Sequence, residues 1–195
     1  MSSNLVLHKS IDDTVFTFID VETTGLSPAD SRVCEIAMAR FKGDSRIGNF
    51  VSLINPEIGI PLEVSKIHGI TDDMVKTSPT FEQASSRIIG FIENSVLVAH
   101  NAEFDLGFLK MEFERIGLRL PEAVVIDTLI MARRLGRFYN NKLGTIAKEL
   151  DISSQGWHRA LNDVEMTRKI FEHFILILRK DGAVTLGDVL KKFPS

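Results

Sequence analysis

Asp20 and Glu22 stand two residues apart at the end of a β-prone apolar run, Thr14 to Val21. On a strand, residues two apart share a face and lie roughly 6.6 Å apart. The two acids therefore continue the face of Phe16 and Phe18, while Thr17, Ile19 and Val21 take the other. Like charges so placed repel each other unless a cation lies between them; the alternative is that the strand has ended and both acids are solvated in a loop. Asp105 lies within a helical stretch, Glu103 to Ile116. At about 100° per residue, Glu103, Lys110 and Glu114 form its wet side. Asp105 falls nearly opposite, beside Phe108, Leu109 and Ile116, where an uncompensated carboxylate is costly. Glu112 falls at a similar angle, which leaves open a helix side that is only partly buried. Asp163 sits near the start of a helix over Ala160 to Leu178, at the flank of the stripe Leu161, Val164, Phe171, Phe174, Ile175 and Leu178. The alternative for it is a first-turn acid favoured by the helix dipole. His158 precedes it by five residues in a loop-like segment, where an exposed histidine is the plain alternative.

Carboxylates without a cysteine cluster are hard oxygen ligands, suited to Mg2+ or Mn2+ rather than to structural zinc. Several of them converging on two such ions is the arrangement that hydrolyses phosphodiesters, by activating the attacking water and stabilising the leaving oxygen. A histidine that is neutral near pH 7 can take the proton from that water. Four acids and one histidine make chemical sense as a set, although spacing alone does not assemble them.

The elements that would have to position them can be read along the chain. Val33 to Phe41 and Ile47 to Ile54 read as a hairpin turning at Lys42 to Ser45. A loop containing Pro56 and Pro61 follows, then Ile67 to Thr71 and a short helix after Thr71. Thr80 to Glu93 reads as a helix, Ser95 to Ala99 as a buried strand, and Gly117 closes the helix that carries Asp105. Val124 to Ile126 is a last short strand, and Asp127 caps the helix after it. Leu143 to Leu150, Ala160 to Leu178 and Thr185 to Lys192 are helices. Strands that come first as a meander and then alternate with helices predict an α/β layer fold with a mixed sheet. The expected organisation is a leader over residues 1–13, one catalytic domain over 14–180, and a short C-terminal helix in 181–195.

With 195 residues, 44% hydrophobic and 25% charged, the composition suits one compact domain with its own core. The net charge of −3 argues against a module that binds nucleic acid passively, since such modules are usually basic. It weighs less against an enzyme whose acids hold cations at the phosphate. Cys34, the one cysteine, lies in an apolar run and reads as a small buried side chain. No stretch reads as a signal peptide or a membrane span, so the expected location is the cytoplasm, with no membrane partner.

Three segments now stand out. Phe18 to Leu26 (Phe-Ile-Asp-Val-Glu-Thr-Thr-Gly-Leu), His100 to Leu109 (His-Asn-Ala-Glu-Phe-Asp-Leu-Gly-Phe-Leu) and His158 to Thr167 (His-Arg-Ala-Leu-Asn-Asp-Val-Glu-Met-Thr) resemble, in order, the three motifs of the DnaQ-like, or DEDDh, exonucleases. Ile67 to Thr71 and Ile126 to Thr128 are familiar segments of that family too. The resemblance covers roughly residues 14–175, with no departure at the five catalytic positions. It implies a ribonuclease H-like three-layer fold with a five-stranded mixed sheet flanked by helices, and metal-dependent 3′–5′ exonuclease activity with two Mg2+ or Mn2+ ions. By the resemblance, Asp20 bridges both metals, Glu22 and Asp163 complete the nucleophile-side site, Asp105 supports the second metal, and His158 is the general base. Glu22 and the backbone near Thr23 hold the terminal 3′-hydroxyl. Leu26 and His68 line the terminal-base pocket and Asn101 lies near the scissile phosphate, with turn packing, helix capping and a helix-entry loop as their respective alternatives.

The motif text is closer to proofreading exonucleases of DNA polymerases than to oligoribonucleases, so the expected partner is a nucleic-acid 3′ end, preferably single-stranded DNA. An exoribonuclease acting on RNA ends is the first alternative, and a subunit attached to a DNA polymerase the second. Arg133, Arg134, Arg137 and Lys142 are candidates for a basic edge that guides the strand; clusters of this kind are more often a solvated surface.

Overall fold

The computed structural model describes residues 7–152 and 159–193. β1 (Val15–Thr23), β2 (Val33–Lys42) and β3 (Ser45–Leu53) form an antiparallel meander, and β4 (Val96–Ala99) and β5 (Val125–Asp127) join it in parallel to give a five-stranded sheet of order β3-β2-β1-β4-β5. The mixed sheet flanked by helices is the expected architecture. The β2–β3 turn is tighter than expected: Lys42 pairs with Ser45, and Gly43, at φ +53°, supplies the left-handed residue that a two-residue hairpin loop needs.

Both faces of the sheet are covered, which is why β1 and β2 read as nearly continuous apolar runs. On one face Phe16, Phe18, Ala39, Phe41 and Val98 pack against α5 (Thr128–Leu135), α6 (Leu143–Glu149), α7 (Ala160–Lys180) and α8 (Leu186–Lys192). On the other Ile19, Val21, Ile36, Met38 and Leu97 meet α3 (Phe81–Ile92) and α4 (Ala102–Arg115). Phe171 sets the longitudinal position of α7, with its ring centroid 5.0 Å from Phe16 and 5.5 Å from Phe18. Asp163 lies eight residues before Phe171, about 12 Å of helix rise. Glu22 lies four residues beyond Phe18, about 13 Å of strand. These two aromatic contacts of Phe171 thus bring the N-terminal turn of α7 level with the end of β1.

Residues 62–68, for which no helix was expected, form one, α1 (Leu62–His68), and the short helix expected after Thr71 is a single turn, α2 (Asp72–Val75). The apolar residues of α1 make no stripe, since Leu62 and Ile67 are both exposed, so periodicity could not reveal it. Its ends were marked instead: Pro61 at the N-cap and Gly69 in the left-handed region after it are ordinary start and stop signals. Within the segment expected as a leader, Ser10 bridges Thr185, the Ile11 amide donates to the Val184 carbonyl and the Leu186 amide to that of Lys9. Ile11, Leu186 and Val189 are all core residues. Among the described residues no helix is long and apolar enough to cross a membrane.

Candidate active site

The parallel pairing of β1 with β4 stops at Phe18–Val98, whereas β1 runs on to Thr23. A gap opens there on the β4 side of β1, and ligands in open α/β sheets bind at such strand ends. Asp105 closes the gap from the α4 layer. Its Oδ1 accepts the Val21 amide at 3.0 Å, a donor that β4 no longer takes. The wet side of α4 is as expected, with Glu103, Lys110 and Glu114 exposed and Asp105 only 4% exposed.

From the opposite layer, Asp163 lies in the first turn of α7 and is buried. Asp20 and Glu22 face it from β1, half-buried on the continuation of the Phe16–Phe18 face. Ligand oxygens of Asp20, Glu22 and Asp163 all lie within 4.8 Å of one another. Loss of water and the charges of Asp105, Asp163, Glu22 and Glu35 hold the Asp20 carboxyl well above the usual range. Burial, then Asp163, Glu35 and Asp105, push Glu22 up to about 8 against the opposing pull of Arg159. Burial, with Asp127 and Asp163 adding to it, also raises Asp105, although the Val21 amide opposes the shift. Three carboxyl groups raised by burial and by neighbouring acids, with Asp163 acting on each of them, make a site that a cation stabilises. The donor set, oxygen only, fits a hard divalent ion.

Two further acids near the cluster, buried Glu35 and half-buried Asp127, have other tasks. Glu35, the cross-strand partner of Glu22 on β2, receives three guanidinium hydrogen bonds from Arg159 at 2.7 to 3.2 Å and the Ala160 amide at 3.0 Å. It thereby holds the entry to α7, next to Asp163. Sequence reading passed over Glu35, though the signal was there: a lone charge inside the apolar run Val33 to Ala39. Asp127 caps α5 as expected, accepting the Leu129 amide at 2.7 Å, and also takes the Asn101 and Ala102 amides at the start of α4.

Of the remaining expected site residues, Thr23 is buried and donates to the Gly25 carbonyl at 2.6 Å. The loop beyond it is pinned by Thr24–Arg32 hydrogen bonds and by Arg115 on the Pro28 and Ala29 carbonyls. Leu26 lies in that loop, 86% exposed. Gly25 leaves room there for Ser31, whose hydroxyl would lie 2.5 Å from a Cβ and would have to turn away from it. His68 ends α1 and is buried, with Nδ1 accepting the Ile70 amide at 3.0 Å and Nε2 3.9 Å from the Cys34 sulfur. Cys34 is buried as expected. Asn101 is exposed in the left-handed region at the N-cap of α4. His158 lies outside the described residues, immediately before Arg159.

The sheet order, the covering helices and the acidic cleft where β1 outruns β4 define a ribonuclease H-like nuclease. The family model for exonucleases, RNase_T, matches residues 17–171, and the chain belongs to that family. Its similar proteins include the PolC-type DNA polymerase III of Halalkalibacterium halodurans, 39% identical over 165 residues, which are 82% of this chain and 11% of that protein. The PolC-type polymerase of Thermotoga petrophila is 31% identical over 186 residues, 95% of this chain and 14% of that protein. The chain thus spans only between 11% and 14% of the length of these polymerases. Among solved structures, exonuclease X in complex with 5′-overhanging duplex DNA superposes with a TM-score of 0.69 at 26% identity, covering 83% of this chain and 92% of that one. E. coli exonuclease I with a dT13 oligonucleotide gives a TM-score of 0.74 at 20% identity, over 86% of this chain and 42% of that one, a likeness of fold.

Proposed function

We propose that this chain removes nucleotides from the 3′ end of single-stranded DNA in a reaction that depends on divalent metal. The observation that carries the reading is the convergence of the Asp20, Glu22 and Asp163 oxygens within 4.8 Å, with Asp105 entering from the other helix layer. These four residues would hold two Mg2+ or Mn2+ ions, Asp20 shared between them, Glu22 and Asp163 on the nucleophile side and Asp105 supporting the second. When bound, such ions lower the pKa of the attacking water and neutralise charge on the phosphoryl and leaving oxygens.

The chain's own groups do the rest. His158, placed by the motif just ahead of the Arg159–Glu35 clamp, takes the proton of the attacking water as a neutral imidazole. Glu22 and the backbone at Thr23 hold the terminal 3′-hydroxyl, so a strand continuing past that point has no room, and cleavage is confined to ends. Leu26, projecting from its pinned loop, packs on the terminal base. His68 shapes that pocket from beneath through the turn it holds at Ile70. Asn101, at the mouth of α4, lies by the scissile phosphate.

DNA is favoured because exonuclease X and exonuclease I were solved with DNA and the similar curated proteins are DNA polymerases. That last likeness supports a second reading, in which the chain works with a polymerase and removes misincorporated ends. The test uses matched 5′-labelled DNA and RNA oligonucleotides with Mg2+, Mn2+ or EDTA. Stepwise shortening of DNA, abolished by EDTA, is expected. A ladder on RNA alone would make it an exoribonuclease, and no cleavage of either strand would sink the catalytic reading.

A further inference from the structure

The segment between α5 and α6, residues 136–142, presents a combination found nowhere else among the described residues. Tyr139, the only tyrosine of the chain, is 92% exposed. Arg133, Arg137 and Lys142, within six residues of it along the chain, are exposed too, and among the described residues none forms an ion pair. Arg134 differs: it donates to the Lys192 carbonyl and lies over the Phe193 ring, so it belongs to the packing of α8. In a chain of net charge −3, three exposed cations outside any ion pair, in the same stretch of chain as an aromatic ring in solvent, call for a partner.

The loop is held in shape although its aromatic tip is not packed. Phe138 turns inward, its ring centroid 6.2 Å from Phe174. Gly136 makes room for that ring, since a Cβ there would come within 2.1 Å of it. The Tyr139 amide donates to Glu149 at 3.0 Å and the Lys142 amide to Asn140 at 3.0 Å. Tyr139 therefore projects from a fixed backbone, so little ordering entropy is lost when a ligand packs on it.

The loop is also tied to the catalytic cleft. His100 bridges them, with Nδ1 3.0 Å from the Thr128 hydroxyl and Nε2 2.9 Å from the Asn141 carbonyl. His100 directly precedes Asn101 and the helix that carries Asp105. Arg133 and Asn101 line one cavity of about 300 Å3.

We propose that Tyr139, with Arg133, Arg137 and Lys142, forms a docking site for single-stranded DNA upstream of the nucleotide being removed. Tyr139 stacks on a base and the three cations take phosphates. The inference rests on the exonuclease reading of the acidic cleft. A 3′ exonuclease has nothing to bind beyond the end it trims, so any strand contact outside the terminal pocket lies on the 5′ side. A ring that stacks on a base needs that base unpaired, which makes this surface a selector for single strands. Stacking and phosphate contacts are tolerant of sequence, as stepwise removal of every nucleotide requires.

The test compares Tyr139→Ala, Tyr139→Phe and the double variant Arg137→Ala/Lys142→Ala with the unaltered chain. One substrate is a single-stranded DNA dodecamer, and the other is the p-nitrophenyl ester of thymidine 5′-monophosphate, which has no upstream strand. For Tyr139→Ala we expect KM for the dodecamer to rise about five-fold or more, with kcat and hydrolysis of the ester unchanged and Tyr139→Phe close to the unaltered chain. Anisotropy of the labelled dodecamer, with Ca2+ replacing Mg2+, reads binding apart from cleavage. There the double variant lowers the salt dependence of log K by about 0.7 for each phosphate that is no longer neutralised. If the unaltered chain cleaves the dodecamer and Tyr139→Ala binds and cleaves it identically, the docking site is overturned while the exonuclease stands. If the unaltered chain neither binds nor cleaves, the exonuclease reading fails and the docking site with it.

Discussion

Two groups of buried and half-buried acids lie within this one domain, and they are treated in opposite ways. Glu112 is fully enclosed on α4, yet Arg32 reaches it at 2.9 Å, Arg115 at 3.3 Å and the Val33 amide at 3.0 Å. Glu35 and Asp127 are likewise met by a guanidinium or by backbone amides. In the cleft, by contrast, Asp20, Glu22 and Asp105 feel the charge of neighbouring acids, Asp163 among them, and each of the three is displaced towards its protonated form. Burial of an acid therefore does not mark a functional site. What marks it is burial answered by more negative charge, an arrangement that folding alone does not reward.

The contrast is broken most directly at its two ends. Asp20→Asn keeps the shape of the cleft and removes its central charge. Cleavage of single-stranded DNA is expected to fall about a thousand-fold or more, while the melting temperature in EDTA holds or rises because a repelled carboxylate has gone. Unaltered cleavage by the folded variant would remove Asp20 from the chemistry. Glu112→Ala is the converse. It strands Arg32 and leaves the Val33 amide without its acceptor, a loss of about 3 kcal/mol or more for a broken buried pair. For a chain of this length that lowers the melting temperature by roughly 6–12 °C. The rate per folded molecule should stay within about two-fold, as urea titration and single-turnover cleavage together would show. A Glu112→Ala protein as stable as the unaltered chain would end the distinction.

Glu35 sharpens the comparison, because it is compensated like Glu112 yet lies across the β1–β2 ladder from Glu22. Glu35→Gln still offers an oxygen to the Ala160 amide but no charge to Arg159. We expect the fold to persist, kcat to drop about ten-fold through misplacement of Asp163 and His158, and KM to change little. A drop in stability with no change in kcat would return Glu35 to the structural group.

How far these roles could be read from the sequence depends on the range of the interaction. Asp20 and Glu22 sharing a face, Asp105 opposite the wet side of α4, and Asp127 as a cap all follow from strand and helix periods acting within a few residues. Glu112 shows the limit: it has the same helical angle as Asp105, and only the long-range contacts to Arg32 and Val33 separate a structural acid from a cleft acid. Glu35 needed the β1–β2 register, and Tyr139 needed the inward turn of Phe138, neither of which a local pattern encodes. Helix α1 was missed because it lies on the surface without a stripe. The grouping of the acids came from motif order rather than from physics; the geometric cause, Phe171 setting α7 against β1, lies between residues more than 150 positions apart.

The smallest expected effect tests the electrostatics of the contrast without any substitution. Glu22, ordinarily near 4.5, is held at about 8 in the folded chain, and Asp20 and Asp105 are raised with it. Such groups are still protonated in the folded state when they have already ionised in the unfolded one. Between those two values the folded chain binds more protons, so stability declines as pH rises through the window. In EDTA the melting temperature is expected to fall by about 2–4 °C between roughly pH 5 and pH 8, the equivalent of about 1 kcal/mol. Mn2+ favours the ionised carboxylates, so at saturating ion the slope should vanish or reverse. Asp20→Asn should flatten it in EDTA, whereas Glu112→Ala should leave it as steep at a lower temperature. A melting temperature in EDTA that does not respond to pH would mean that the four carboxylates are solvated well enough to ionise together, and the case for a cation between them would lose its electrostatic basis.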